Sequence, residues 1–238
     1  MTNEVWTAAL GLGFALGLRH ALDPDHVVAV STIVSESRSI RRSSLVGTSW
    51  GLGHTAALLA AGIAVIGLKM NIPRHGALWM ESAVAGMLVL LGLKAVRTAF
   101  RGWKVHRHGH VHDGHEHVHF HLHHGGENPA HDHRHLFGFR TQPFLVGLVH
   151  GFAGSAGLMI LVLGTIPSAV AGLAYIGMFG LGSTGGMLLM SSLISLPFVW
   201  TARRFALFTQ GLQLLVGCGS ILFGCFLAWQ YGFQFRSN

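Results

Sequence analysis

At 238 residues, half of them apolar and only 11% charged, with a mean hydropathy of +0.49, the chain is too apolar for a soluble domain of its size. Its formal charge of +7 is spread over connecting segments, which excludes a nucleic-acid-binding stripe and leaves the lipid bilayer as its surroundings. Cys218 and Cys225 lie seven apart in one apolar run, form no Cys-x-x-Cys pair, and read as small packing residues.

Six apolar spans follow in order: 5–34, 44–68, 76–96, 143–164, 167–200 and 205–231. Glu4 precedes the first, with no Lys or Arg before it, so the basic start of a cleavable signal peptide is missing. A straight crossing takes ~20 residues, so the first and fifth spans are too long for one untilted helix. Each carries a breaker, Pro24 in the first and the run Gly180-Leu181-Gly182-Ser183-Thr184-Gly185-Gly186 in the fifth. For the glycine run, close helix packing is an equal reading.

Twelve of the sixteen lysines and arginines fall in loops on one side if the N-terminus is outside, which by the positive-inside rule places both termini outside. Two short runs recur at almost the same offset: Gly17-Leu18-Arg19-His20 as Gly147-Leu148-Val149-His150, and Gly51-Leu52-Gly53-His54-Thr55 as Gly180-Leu181-Gly182-Ser183-Thr184. Three spans per half would invert the repeat. The expected fold is therefore an all-α integral membrane protein, six transmembrane helices as two inverted three-helix repeats, with broken helices at the site. Its parts are a first repeat (1–100), a cytoplasmic histidine-rich flexible loop (101–142) and a second repeat (143–238).

The chemistry concentrates in Arg19-His20-Ala21-Leu22-Asp23-Pro24-Asp25-His26. Such groups in hydrocarbon need partners, water or a metal. Pro24 lacks an amide N–H and disfavours helix at Asp23, so a break there lets side chains converge that a straight helix would splay. His20, Asp23, Asp25 and His26, with His54 in the next span, are then expected to form a metal cage, the alternative being a satisfied polar pair that packs two helices. Imidazole and carboxylate suit divalent ions from iron to zinc, and two carboxylates balance the charge of one. His150 sits where His20 sits in the other half, without an acid nearby, and reads as an outer-sphere or transit member of the metal set. Arg19 and Glu81 are expected to neutralise or hydrogen-bond the cluster, unless Glu81 caps its own span. From His106 to His135 there are thirteen histidines in thirty residues and no apolar period that could bury a core. That segment reads as flexible and able to gather transition metals loosely.

His-x4-Asp-His in an early span, followed by Gly53-His54-Thr55, resembles the signature of the nickel/cobalt transporter superfamily. The six-span length and the run 147–156 are similar to its shorter urease-accessory members. The resemblance implies a permease for Ni²⁺, with Co²⁺ as second cargo, carried as transported substrate and with no tightly bound cofactor. It implies His20, Asp25, His26 and His54 as metal-handling residues, a prokaryotic plasma membrane or a plastid membrane, and a cytoplasmic nickel chaperone as candidate recipient. Longer members have eight spans and a second acidic motif, where this chain has Gly-Phe-Ala-Gly-Ser-Ala-Gly at 151–157. Asp25 leans towards uptake, since the efflux branch often has glycine there. The alternatives are an exporter of the same fold, a membrane metalloenzyme, and a non-transporting metallochaperone or scaffold for urease or hydrogenase maturation. The enzyme reading lacks a general base besides Asp23 and a helical His-Glu-x-x-His, and the absence of Gly-x4-Gly-Lys-Ser/Thr excludes an ATPase in the chain itself.

Overall fold

The structure, a computed structural model, describes residues 3–37, 39–67, 74–101, 105–112, 115–122, 136–153, 168–202 and 205–236. Among the described residues seven helices run in order: α1 (Asn3–His20), α2 (Pro24–Val34), α3 (Ile40–Gly67), α4 (Arg74–Arg101), α5 (Leu136–Ala153), α6 (Ala169–Ala202) and α7 (Ala206–Arg236). Four of them, α3, α4, α6 and α7, are long and apolar enough to cross a membrane. Large apolar side chains such as Leu90, Leu189, Leu222 and Trp229 point outward, as a lipid-facing surface requires. The protein is thus an integral membrane protein whose membrane part, among the described residues, is helical.

The first span is broken where Pro24 predicts. The α1 ladder ends in tight turns, Leu22 N–H to the Arg19 carbonyl at 2.9 Å and Asp23 N–H to the His20 carbonyl at 3.0 Å. Asp23 is extended (φ −61°, ψ 144°), and Pro24 then opens α2, where its missing N–H costs nothing. In the fifth span the packing reading of the glycine run holds and the break does not occur. The span is one uninterrupted helix, α6, of 34 residues running straight through Gly180–Gly186. The physical reason is packing: a Cβ on Gly182 would strike the Phe14 carbonyl of α1, and one on Gly180 would strike Thr55 of α3. Those glycines admit neighbouring backbones without ending the helix. Cys218 and Cys225 also differ from expectation, since both lie on the exposed face of α7.

The contacts fix the relative directions of the helices. α6 runs parallel to α1, with Gly13 against Tyr175 and Gly186 against Ala21, and antiparallel to α3, with Gly47 against Ser191 and Gly62 against Ile176. α5 lies parallel along α3, with Phe144 at Gly53 and Ala57 at Gly151, while α4 and α7 pair antiparallel through Gly92 and Gly217. Trp50, Leu88, Met187, Val30 and Val34 are buried where these helices meet. Hydroxyls and amides add hydrogen bonds between helices: Thr55 Oγ1 to the Gly180 carbonyl (3.1 Å), Ser220 Oγ to the Leu88 carbonyl (2.8 Å) and Gln213 Nε2 to the Ser35 carbonyl (2.8 Å).

In the histidine-rich segment, strand β1 (Val105–His112) pairs antiparallel with β2 (His115–Leu122). The register sets His106 against His121, His108 against His119, His110 against His117 and His112 against His115. The two strands pair through their backbones, which the lack of an apolar period did not reveal, although such a hairpin is marginally stable by itself. The remaining histidines, 123–135, lie outside the described residues.

Packing this close makes a contrast testable. Gly53→Ala drives a Cβ into the Phe144 carbonyl, whereas the Cβ in Gly86→Ala meets open space. The first is expected to lower unfolding stability in detergent by about 1–3 kcal/mol and the second to leave it unchanged or raise it by about 0.5–1 kcal/mol. Equal effects of the two substitutions on thermal unfolding would contradict the packing described.

Candidate metal centre

The break turns two helix ends towards one point. His20 closes α1, and its Nδ1–H donates to Asp23 Oδ2 at 2.7 Å. Asp25 lies in the first turn of α2, where a carboxylate is favoured by the unpaired amides and the dipole of the helix start. Its Oδ1 accepts from the backbone N–H of His26 (3.0 Å) and from His26 Nδ1–H (3.1 Å). Each imidazole is therefore held at Nδ1 by a carboxylate, which leaves the lone pair on Nε2. In both rings that Nε2 is buried and without a partner. A carboxylate behind an imidazole fixes its tautomer and raises its basicity as a ligand.

His54 enters from the middle of α3. Both its nitrogens are buried and unpartnered, on a side chain with no exposed surface. It reaches the break because glycines surround it: Gly53 admits the Phe144 backbone of α5, and Gly151 rests on the His54 carbonyl. The ring centroids of His20, His26 and His54 lie 4.6, 5.1 and 5.4 Å apart, and one ligand atom from each lies within 4.8 Å of the others. Bonds of about 2.0–2.1 Å put three ligands of one ion about 3.4–3.6 Å apart, so each nitrogen would move inward by less than about 1 Å to seat a first-row cation. Buried nitrogens with no hydrogen-bond partner are costly unless something fills them. The donor set therefore fits a divalent ion.

His150, in the last turn of α5, is fully buried and donates Nε2–H to Asp25 Oδ2 at 2.7 Å. Its sequence surroundings hold no acid, yet the fold brings Asp25 to it from 125 residues away. All six residues expected at the site thus lie together: His20, Asp23, Asp25, His26, His54 and His150. The two carboxylates touch imidazoles in this structure. Arg19 is exposed and Glu81 half-buried on α4, and no ion pair joins either to the cluster among the described residues. Sequence reasoning passed over two aromatic walls. Trp50, fully buried, stacks on His26 (centroids 6.1 Å, planes 20° apart), and Phe179 lies 5.3 Å from His20. A signal for Trp50 was present, because it stands one helical turn before His54. Of the run 151–157, residues beyond Ala153 lie outside the described residues.

A lipid-facing helical body around buried imidazoles, each hydrogen-bonded to a partly exposed carboxylate or left unpartnered, has the make-up of a membrane protein that handles cations. Residues 6–209 match the family described as "High-affinity nickel-transport protein", and the chain belongs to that family. Membership of a family of transporters makes the protein a non-enzymatic carrier of nickel and sets aside the metalloenzyme alternative. A urease accessory protein from a Bacillus species (strain TB-90) is 36% identical over 223 residues, 94% of this chain and 91% of that protein. Two chloroplast proteins of Arabidopsis thaliana, FOR GROWTH AND FERTILITY 2 and 1, are 29% and 27% identical over 189 and 187 residues. Those alignments cover 79% and 76% of this chain but only 46% and 48% of the plant proteins. No solved structure matches the chain.

Because Asp25 holds both His26 and His150, Asp25→Asn removes the charge that orients two rings. Nickel affinity of the purified protein, measured by titration, is expected to fall about 10–100-fold while the helical fold is retained. Unchanged affinity would remove Asp25 from the site.

Proposed function

We propose that the chain is an uptake permease for Ni²⁺, with Co²⁺ as an alternative cargo, in a prokaryotic plasma membrane with both termini outside. The observation that carries this reading is the set of buried, unpartnered nitrogens on His20, His26 and His54. The ion exchanges water for these imidazoles, while Asp23 and Asp25 hold the rings in place and supply the compensating charge. Asp25 and His150 stand behind His26 and complete the polar lining.

Six crossings in two inverted halves are part of the proposal, with α1 and α2 together forming the first. Contacts recur in matched pairs at offsets of 129 or 130. Gly17 meets the Phe179 carbonyl as Gly147 meets that of Trp50, and Gly53 meets the Phe144 carbonyl as Gly182 meets that of Phe14. Gly51 meets Thr184 as Gly180 meets Thr55, and the two threonine hydroxyls lie 3.2 Å apart. Such pairing is what a two-fold axis in the membrane plane produces, and it supports rocking of one half against the other. The histidine-rich segment, on the cytoplasmic side, receives the ion and passes it to a cytoplasmic nickel chaperone. Similarity to a urease accessory protein supports that destination. A divalent ion moving inward gains about 4.6 kcal/mol per 100 mV, twice the unit-charge figure, which suffices for accumulation without ATP.

Radiolabelled nickel uptake by proteoliposomes tests the function. The wild-type chain is expected to accumulate the ion under an inside-negative potential, and His26→Ala to reduce the rate by about tenfold or more. Uptake that persists unchanged in the variant contradicts the site, and net outward movement in oriented vesicles assigns the chain to export. Removing 106–135 is expected to weaken cytoplasmic capture while translocation continues. Complete loss of transport in a folded deletion variant contradicts that division of labour.

A further inference from the structure

Four imidazoles converge on the break, and the fourth comes from the other half of the chain. His150 has its ring centroid 4.2 Å from that of His26 and 6.4 Å from that of His54. Asp25, His26 and His150 each bring a ligand atom within 4.8 Å of the other two, as His20, His26 and His54 do. His26 belongs to both groups. We propose that these are two overlapping seats for one cation, and that a divalent ion passes from the His20–His26–His54 seat to the Asp25–His26–His150 seat by turning about His26. The proposal rests on the permease reading and adds the route.

The two seats differ in readiness. In the first, the lone pairs on His20 Nε2, His26 Nε2 and His54 are unpartnered. In the second, Asp25 Oδ2 is tied to His150 Nε2–H at 2.7 Å, so that hydrogen bond acts as a latch that the arriving ion must open, the Nε2 proton passing to the unpartnered Nδ1 as the ring takes the ion. They differ also in charge, since the first has only imidazoles and the second includes a carboxylate. His26 has one Nε2 to offer, so both seats cannot be filled together, and the ion keeps one ligand throughout the move. Never fully releasing the cargo avoids the cost of a bare divalent charge in low dielectric.

The matched halves give a second, independent argument. His20 ends Gly17-Leu18-Arg19-His20 in one half, and His150 ends Gly147-Leu148-Val149-His150 in the other. The seats therefore use corresponding histidines on either side of the shared ring. Rocking of inverted halves exposes one side and then the other, so each seat faces one aqueous phase in turn. Trp50 walls both, 6.1 Å from His26 and 5.7 Å from His150.

The test combines nickel binding and nickel transport on full-length protein in lipid, with His150→Ala and His150→Gln; the glutamine can still donate to Asp25 but is a poor ligand. Wild type is expected to bind one Ni²⁺ per chain. Both variants are expected to bind within about threefold of wild type while transport falls about tenfold or more, binding itself reporting an intact fold. Two ions per wild-type chain, wild-type transport in either variant, or loss of binding in both variants overturns the two-seat route. A wild-type chain that neither binds nor moves nickel fails at the permease reading instead.

Discussion

Two carboxylate–imidazole hydrogen bonds at a broken helix, Asp23 to His20 and Asp25 to His26, are what the rest of this molecule is arranged to hold. Each places a proton on Nδ1 and turns the remaining lone pair inward. Without the break the geometry fails, because residues six apart on a continuous helix lie ~600° around it and face differently. Without the carboxylates, the imidazoles would be free to choose the wrong tautomer. Pro24 and its two flanking acids therefore act as one device.

Holding that device in lipid requires close packing, since lipid tails are as apolar as the helices and no hydrophobic force presses helix to helix. The glycines supply contact in its place. Gly53, Gly147 and Gly151 bring α5 against α3 beside His54 and Trp50, and Gly17 and Gly182 bring α1 against α6. The same close approach that places His150 over Asp25 leaves no room for a methyl group at these positions. Stability and site geometry thus depend on the same residues, and a loosened interface would misplace the ligands before it unfolded the chain.

Much of the site was legible in sequence because its cause is local. Pro24 announces the break, and the spacing of His20, Asp25 and His26 matters only once that break exists. His54 was readable as a polar residue among glycines in an apolar span. The contact of Asp25 with His150 was not, because it joins residues 125 positions apart and no neighbouring acid marks His150. The continuity of α6 through Gly180–Gly186 was one of two readings that sequence could not separate: glycines that break a helix and glycines that admit a neighbour look alike until the neighbour is placed. The hairpin at 105–122 forms through backbone pairing, which leaves little trace in side-chain pattern.

X-ray absorption at the nickel edge, on the protein loaded with one equivalent of Ni²⁺ in lipid, reads the ligand set without relying on transport. The account predicts imidazole nitrogens at about 2.0–2.1 Å, with the signal reduced by one ring in His54→Ala. A first shell of water and carboxylate oxygens without imidazole, unchanged by that substitution, would contradict it.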